Sequence, residues 1–164
     1  MNAVKLDSIS VEHIFTQCTE LIELSIGATT LDPRSINFLC ENLTSNIEKL
    51  DLFEQDNFGE EHLEKLLNRC NKLTEFGILG TDITDYDPIF EKLSETLVKF
   101  EADQYSINDY CELNIMPNMK FIFGAFRTVS KRAKHERKIE KFFPDMKFFL
   151  AYRLLYRPVL NCYT

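Results

Sequence analysis

An α/β solenoid of about six short repeats is the fold class this 164-residue sequence predicts. Short parallel strands are expected on the concave side of a horseshoe arc, with helices on the convex side. Three observations lead there. The phrase Cys70-Asn-Lys-Leu73-Thr-Glu-Phe76-Gly-Ile78 repeats Cys18-Thr-Glu-Leu21-Ile-Glu-Leu24-Ser-Ile26, and Ile47-Glu-Lys-Leu50-Asp-Leu52 repeats it without the Cys. The anchors Leu21, Ile47, Leu73, Leu97, Met119 and Met146 lie 26, 26, 24, 22 and 27 residues apart. A period of about 25 residues is the mark of a stacked repeat. Within each unit, a segment that alternates apolar and polar residues is followed by one with helical spacing.

The alternating part reads as a strand, with Leu24 and Ile26 on one side and Glu23 and Ser25 on the other. The helical part places Val11, Ile14, Phe15 and Cys18 at i, i+3, i+4 and i+7. Ile36, Leu39, Cys40 and Leu43 do the same, as do Leu63, Leu66, Leu67 and Cys70. The caps fit these helices. Asp32-Pro33 and Asp87-Pro88 each set an N-cap side chain before a Pro at the first helical position. Ser10 stands before Val11 in the same role. Gly59 with Glu60 and Glu61 opens the third helix, where acidic residues suit the positive end of the dipole.

The expected organisation is one domain over 1–164. Residues 1–18 form a partial repeat whose first strand carries Val4 and Leu6. Full units begin at Leu21, Ile47 and Leu73, and a weaker one at Leu97. A modified unit over 119–143 holds a basic helix, and 144–164 serve as the C-terminal cap. A single unit cannot bury its apolar face alone, so the array is expected to fold as one cooperative stack.

Composition narrows the function classes. Five Cys with no CxxC pair, three of them at apolar repeat positions, point to reduced core thiols and a cytoplasmic or nuclear setting. No apolar leader or 18-residue apolar run supports a signal peptide or a membrane span. The net charge of −7 hides an asymmetry. Residues 1–126 carry 9 basic and 23 acidic residues, whereas 127–164 carry 10 basic and 3 acidic ones. The acidic majority argues against nucleic acid as a partner. Catalytic patterns are missing: His13, His62 and His135 lie apart in the repeat register, and no Cys/His spacing suits zinc. Gly77-Ile-Leu-Gly80 is too short for a phosphate loop. Cys70 falls in the core phase and not at a nucleophile's position. No enzyme activity, metal or cofactor is expected.

The phrase Cys70-x-x-Leu73-x-x-Phe76-x-Ile78, followed by Ile83-Thr84-Asp85, resembles the cysteine-containing leucine-rich repeats of F-box/leucine-rich-repeat proteins. The match is close over residues 18–93 and looser to about residue 150. The resemblance implies protein binding as the substrate-recognition part of a ubiquitin ligase, with ligase subunits as partners if an F-box is present. Two departures stand beside it. No F-box-like helical segment precedes residue 4, so ligase assembly is not carried over. The inner ladder position after each strand reads Thr29, Gln55 and Thr81 in place of the family's Asn or Cys, although Thr and Gln can still bond loop backbone.

Partner contacts are then expected on strand residues between the buried Leu positions. The rows are Lys5 and Asp7; Glu23 and Ser25; Lys49, Asp51 and Phe53; Glu75, Gly77 and Leu79; Lys99, Glu101 and Asp103; Phe121 and Phe123; Phe148 and Leu150. The last two rows are apolar. They are either binding hot spots or a floor covered by the tail, and the tail's own Tyr152, Leu154, Leu155, Tyr156 and Val159 favour the cover. The basic run Arg127, Lys131, Arg132, Lys134, Arg137 and Lys138 is a second candidate surface for an acidic protein or an RNA-linked partner. Such a run is ordinarily a solvated outer helix, here with Glu136 and Glu140 among the bases. Two readings therefore stand: a recognition module of the F-box type, or a free-standing adaptor using the basic segment.

Overall fold

The computed structural model describes residues 8–26, 31–102, 116–126 and 147–152, the strand residues 121–126 and 147–152 by backbone and register. Elements follow in the order α1 (Ser8–Gln17), β1 (Glu23–Ser25), α2 (Pro33–Asn42), β2 (Lys49–Asp51), α3 (Glu60–Arg69), β3 (Glu75–Gly77), α4 (Asp87–Leu93), β4 (Lys99–Ala102), β5 (Phe121–Phe126) and β6 (Lys147–Tyr152). The six strands form one sheet in sequence order, parallel at every step. With a helix-on-strand unit repeated along the sheet, the fold is that of a leucine-rich repeat.

Register follows the repeat. Glu23, Lys49, Glu75, Lys99 and Phe121 align across five strands, and Leu24, Leu50, Phe76, Phe100 and Ile122 form the next row. The second row supplies the core: Leu50, Phe76 and Phe100 are buried, and Leu24 packs against them half-buried. The helices close over it, with α1 packed on α2, α2 on α3 and α3 on α4. Ile36, Leu39 and Cys40 of α2, Leu63, Leu66 and Leu67 of α3, and Ile89, Phe90 and Leu93 of α4 are all buried. Phe100 stands edge-on to both Tyr86 and Phe90, with ring centroids 5.6 Å apart in each pair. Such pairs add about 0.5–1.5 kcal/mol beyond burial.

Helix entry follows the expected chemistry at two sites. Asp32 caps α2, its Oδ1 accepting from the Ser35 N–H at 2.8 Å. Gly59 caps α3, and His62 reaches back so that its Nδ1 accepts the Gly59 N–H at 3.3 Å. Two expected caps move. Ser10 lies inside α1, which already begins at Ser8. Asp87 is the first residue of α4 and not its cap, and its N–H bonds Asp85 Oδ1 at 3.0 Å. Glu60 does more than face a dipole. Its Oε1 accepts from Thr84 N–H, Thr84 Oγ1 and Asp85 N–H, tying α3 to the loop before α4.

Backbone bonds continue past each short strand. Leu52 N–H donates to Gly77 O and Glu54 N–H to Leu79 O, both at 2.8 Å. This path needs a left-handed residue at the turn, supplied by Glu54 (φ 58°) and, one repeat on, by Gly80 (φ 77°). The inner position is filled as expected where it is described. Gln55 is buried and bonds the preceding loop, and Thr81 Oγ1 donates to Ile78 O at 2.8 Å. Thr29 lies outside the described residues, as do the Val4–Leu6 strand, the basic helix and the tail from residue 153.

Cys40 and Cys70 are core residues. Burial pushes their thiols up to about 12 and about 11, far from a reactive thiolate. Cys18 departs from its expected core place and is exposed. A core position in a stack is covered by the units on both sides, and among the described residues α1 has a neighbouring helix, α2, on one side only. Ile22 is 54% exposed, at the repeat position where Glu48 is also exposed.

Candidate protein-binding face

Because strand side chains alternate, the residues flanking each buried anchor all point away from the helices. Glu23, Ser25, Lys49, Asp51, Glu75, Lys99 and Glu101 therefore come together on one sheet face, as the sequence rows require, and no described element lies over it. They surround a shallow hollow of about 370 Å³.

The first row is a charge ladder. Lys49 Nζ lies 3.7 Å from Glu23 and 3.3 Å from Glu75, while Lys99 Nζ lies 3.7 Å from Glu75 and 2.7 Å from Glu101. Glu75 holds the Lys49 ammonium above its ordinary pKa, with Glu23 adding to the effect. The second row runs Ser25, Asp51, Gly77, Glu101 and Phe123. Here Ser25 Oγ donates to Asp51 Oδ2 at 3.0 Å, and the Phe53 N–H donates to Oδ1 at 3.2 Å.

Asp51 leans across the strand boundary over Gly77. A Cβ built on Gly77 would lie 2.9 Å from Asp51 Oδ1, closer than any side chain tolerates. The glycine thus makes room for the carboxylate. Burial pushes Asp51 above the usual carboxylate range, and the neighbouring Glu101 charge adds to this against the Ser25 hydrogen bond. Neither the Ser25–Asp51 bond nor the Gly77 notch was expected from sequence. The signal for the notch was a Gly inside a strand, which often marks a close approach.

The remaining expected site residues divide. Phe53 and Leu79 fall past the strand ends, are half-buried and stay outside the hollow. Phe121 and Phe123 hold register positions in the two face rows. Phe148 does not: it pairs with Ile122, in the row of Leu50 and Phe76, and Leu150 pairs with Gly124 beside Ala102. Lys147 and Phe149 take the face-row positions instead. A slip of one residue moves a whole strand's side chains to the other face, and the 27-residue spacing to Met146 contains that slip. Arg127, Lys131, Arg132, Lys134, Arg137 and Lys138 lie outside the described residues. Among the described residues no cluster of His, Cys, Asp or Glu is placed to hold a metal, and no helix is long and apolar enough to cross a membrane.

Comparison with known proteins bears on the fold. No family profile matches the chain, and no curated protein does. Among solved structures, an internalin C2 from Listeria monocytogenes is similar with a TM-score of 0.51 and 16% identity, over 92% of this chain and 78% of that one. At that identity the likeness supports the leucine-rich-repeat fold and nothing finer.

Proposed function

We propose that the chain is a protein-recognition module whose strand stack bends into an arc, with the open sheet face as its concave wall and binding surface. The charge ladder with its hollow carries this reading. It is a rigid array whose charges are fixed by backbone register, and no described element covers it. In this reading the chain is a binding scaffold and not an enzyme. The Cys-x-x-Leu phrase further supports a place as the substrate-recognition part, or a relative, of an F-box/leucine-rich-repeat ubiquitin-ligase subunit. The buried thiols Cys40 and Cys70 support a cytoplasmic or nuclear site of action.

Affinity capture with the intact chain tests both levels. Partners lost on Glu23→Lys with Glu101→Lys, but kept on Glu64→Lys of the outer helix α3, support the open face. Capture unaffected by the face substitutions overturns it. Recovery of cullin and adaptor subunits supports the ligase placement. Importins or RNA-binding proteins alone would favour an adaptor working through residues 127–141.

A further inference from the structure

We infer that the open face takes a segment of its protein partner through a basic side chain seated over Gly77, against Asp51 and beside Glu101. The inference rests on the open-face reading and adds the chemistry of the occupant.

Charge complementarity argues for it. The lining of the hollow holds four carboxylates, from Glu23, Asp51, Glu75 and Glu101, and two ammonium groups, from Lys49 and Lys99. Both lysines are engaged by two carboxylates each. Among the described residues Asp51 has no cation within ion-pair distance, and its oxygens are held by one hydroxyl and one backbone N–H. The hollow therefore carries an excess of two negative charges, and Asp51 holds its share in a partly buried position.

Shape argues for the same spot. Strands lie about 4.8 Å apart, so Asp51 and Glu101 flank Gly77 at roughly 10 Å backbone to backbone. Gly77 lines the hollow together with Asp51 and Glu101, and the atom nearest to a Cβ built on it is Asp51 Oδ1. A guanidinium or ammonium entering there meets Oδ1 directly. It also relieves the repulsion between Asp51 and Glu101 that helps push Asp51 upward. A carboxylate or an apolar group in the same place would leave both acidic groups further desolvated without compensation.

The test uses a random dodecapeptide library displayed on phage and panned on the full-length chain. Selected peptides are resynthesised, and their affinities for the intact protein are measured by calorimetry. The expected result is selection of Arg- or Lys-bearing sequences that bind about tenfold or more weakly to Asp51→Asn, a loss typical of a desolvated charge pair. Asn keeps the size of Asp and an oxygen for Ser25. Glu64→Gln is expected to leave the affinity unchanged. Replacing the peptide's basic residue by citrulline or norleucine gives the same loss on the unaltered protein, so the test does not depend on the variant's folding. Peptides whose binding responds to Glu23→Lys but to neither Asp51→Asn nor citrulline overturn this inference and leave the open-face reading in place. Peptides indifferent to every face substitution overturn both, and so does a panning that enriches nothing.

Discussion

Gln55 offers the sharpest test of how one repeat holds the next. It is 1% exposed, at the inner turn after β2. Its Oε1 accepts the Leu31 N–H at 3.0 Å, and its Nε2 donates to Ile26 O at 3.2 Å and Phe53 O at 3.3 Å. One side chain therefore serves backbone groups on both sides of the loop that joins β1 to α2. Gln55→Leu keeps nearly the same volume and removes these three bonds among the described residues. A buried backbone group left without a partner costs about 1–3 kcal/mol. One fully lost N–H bond and two longer carbonyl bonds, less the gain from burying an apolar side chain, give a net loss of about 2–4 kcal/mol. For a domain whose whole stability is about 5–15 kcal/mol, that is a large share.

Urea unfolding followed by far-ultraviolet circular dichroism reads this loss as a lower midpoint at unchanged slope. Hydrogen exchange locates it: the Leu31 amide should lose protection while the Phe76 amide in β3 keeps most of its own. Gln55→Ala adds a cavity and should cost more than Gln55→Leu. A Gln55→Leu protein within about 1 kcal/mol of the parent would refute the reasoning, because water would then be satisfying these groups as well as the amide does.

Ser35 is fully buried and its hydroxyl finds no partner among the described residues, while its N–H stays capped by Asp32. Ser35→Ala should stabilise by about 1 kcal/mol, raising Tm by about 2–4 °C, and a lower Tm would contradict this. Gly80→Ala places a Cβ at φ 77° and 3.2 Å from the Glu54 Cα, and should cost at least about 1–2 kcal/mol in urea unfolding. His62 is held below its ordinary pKa of 6.5, chiefly by burial and then by Lys65. The unfolded chain takes up this proton first, so the His62 contribution is complete above pH 6.5 and declines as pH falls through that value toward the folded one. His62→Gln keeps an acceptor for Gly59 and should flatten that part of the stability profile; an unaltered profile would rule the group out. Lys49→Glu would stack three carboxylates in register between β1 and β3. It should lower the urea midpoint at low salt and recover near 1 M NaCl, where the Debye length is about 3 Å; an equal loss at both salts would point to packing instead.

The parts of the molecule readable from sequence are those with a strong period. Anchors at Leu21, Ile47, Leu73, Leu97 and Met119 carry four register steps, because each strand there has one apolar phase and one polar phase. At β6 the rule fails for a physical reason. Phe148, Phe149, Leu150, Ala151 and Tyr152 are apolar in both phases, so alternation carries no register information. Phe148 was thus expected one row away from its place. Cys18 shows another limit: periodicity gives the side a residue faces, and burial also needs a neighbour on that side. The charged rows of the open sheet face were legible from alternation alone. The placement of Asp51 was not, since its carboxylate leans into a space left by the missing Cβ of Gly77.

A stack of identical repeats has an electrostatic problem on its open face. Parallel in-register strands place equivalent side chains about 4.8 Å apart in backbone position, and like charges directly opposite are destabilising. Buried anchors can recur without penalty, which is why Leu50, Phe76 and Phe100 look alike, but charged face residues cannot. The first row resolves this with Glu23, Lys49, Glu75 and Lys99 in alternation, and the second by setting Gly77 between Asp51 and Glu101. Exposed ion pairs of this kind contribute little to stability, about 0–1 kcal/mol at most. Their effect is on order: a shift by one repeat would set Glu23 against Glu75 and Lys49 against Lys99, so the pattern favours one order of strands and fixes where each charge stands. The two solutions differ in what they leave behind. Alternation neutralises the first row within the molecule. Spacing by glycine separates the charges of the second, and Asp51 keeps a half-buried carboxylate pushed upward by burial and by Glu101, against the Ser25 hydrogen bond and the Lys99 charge.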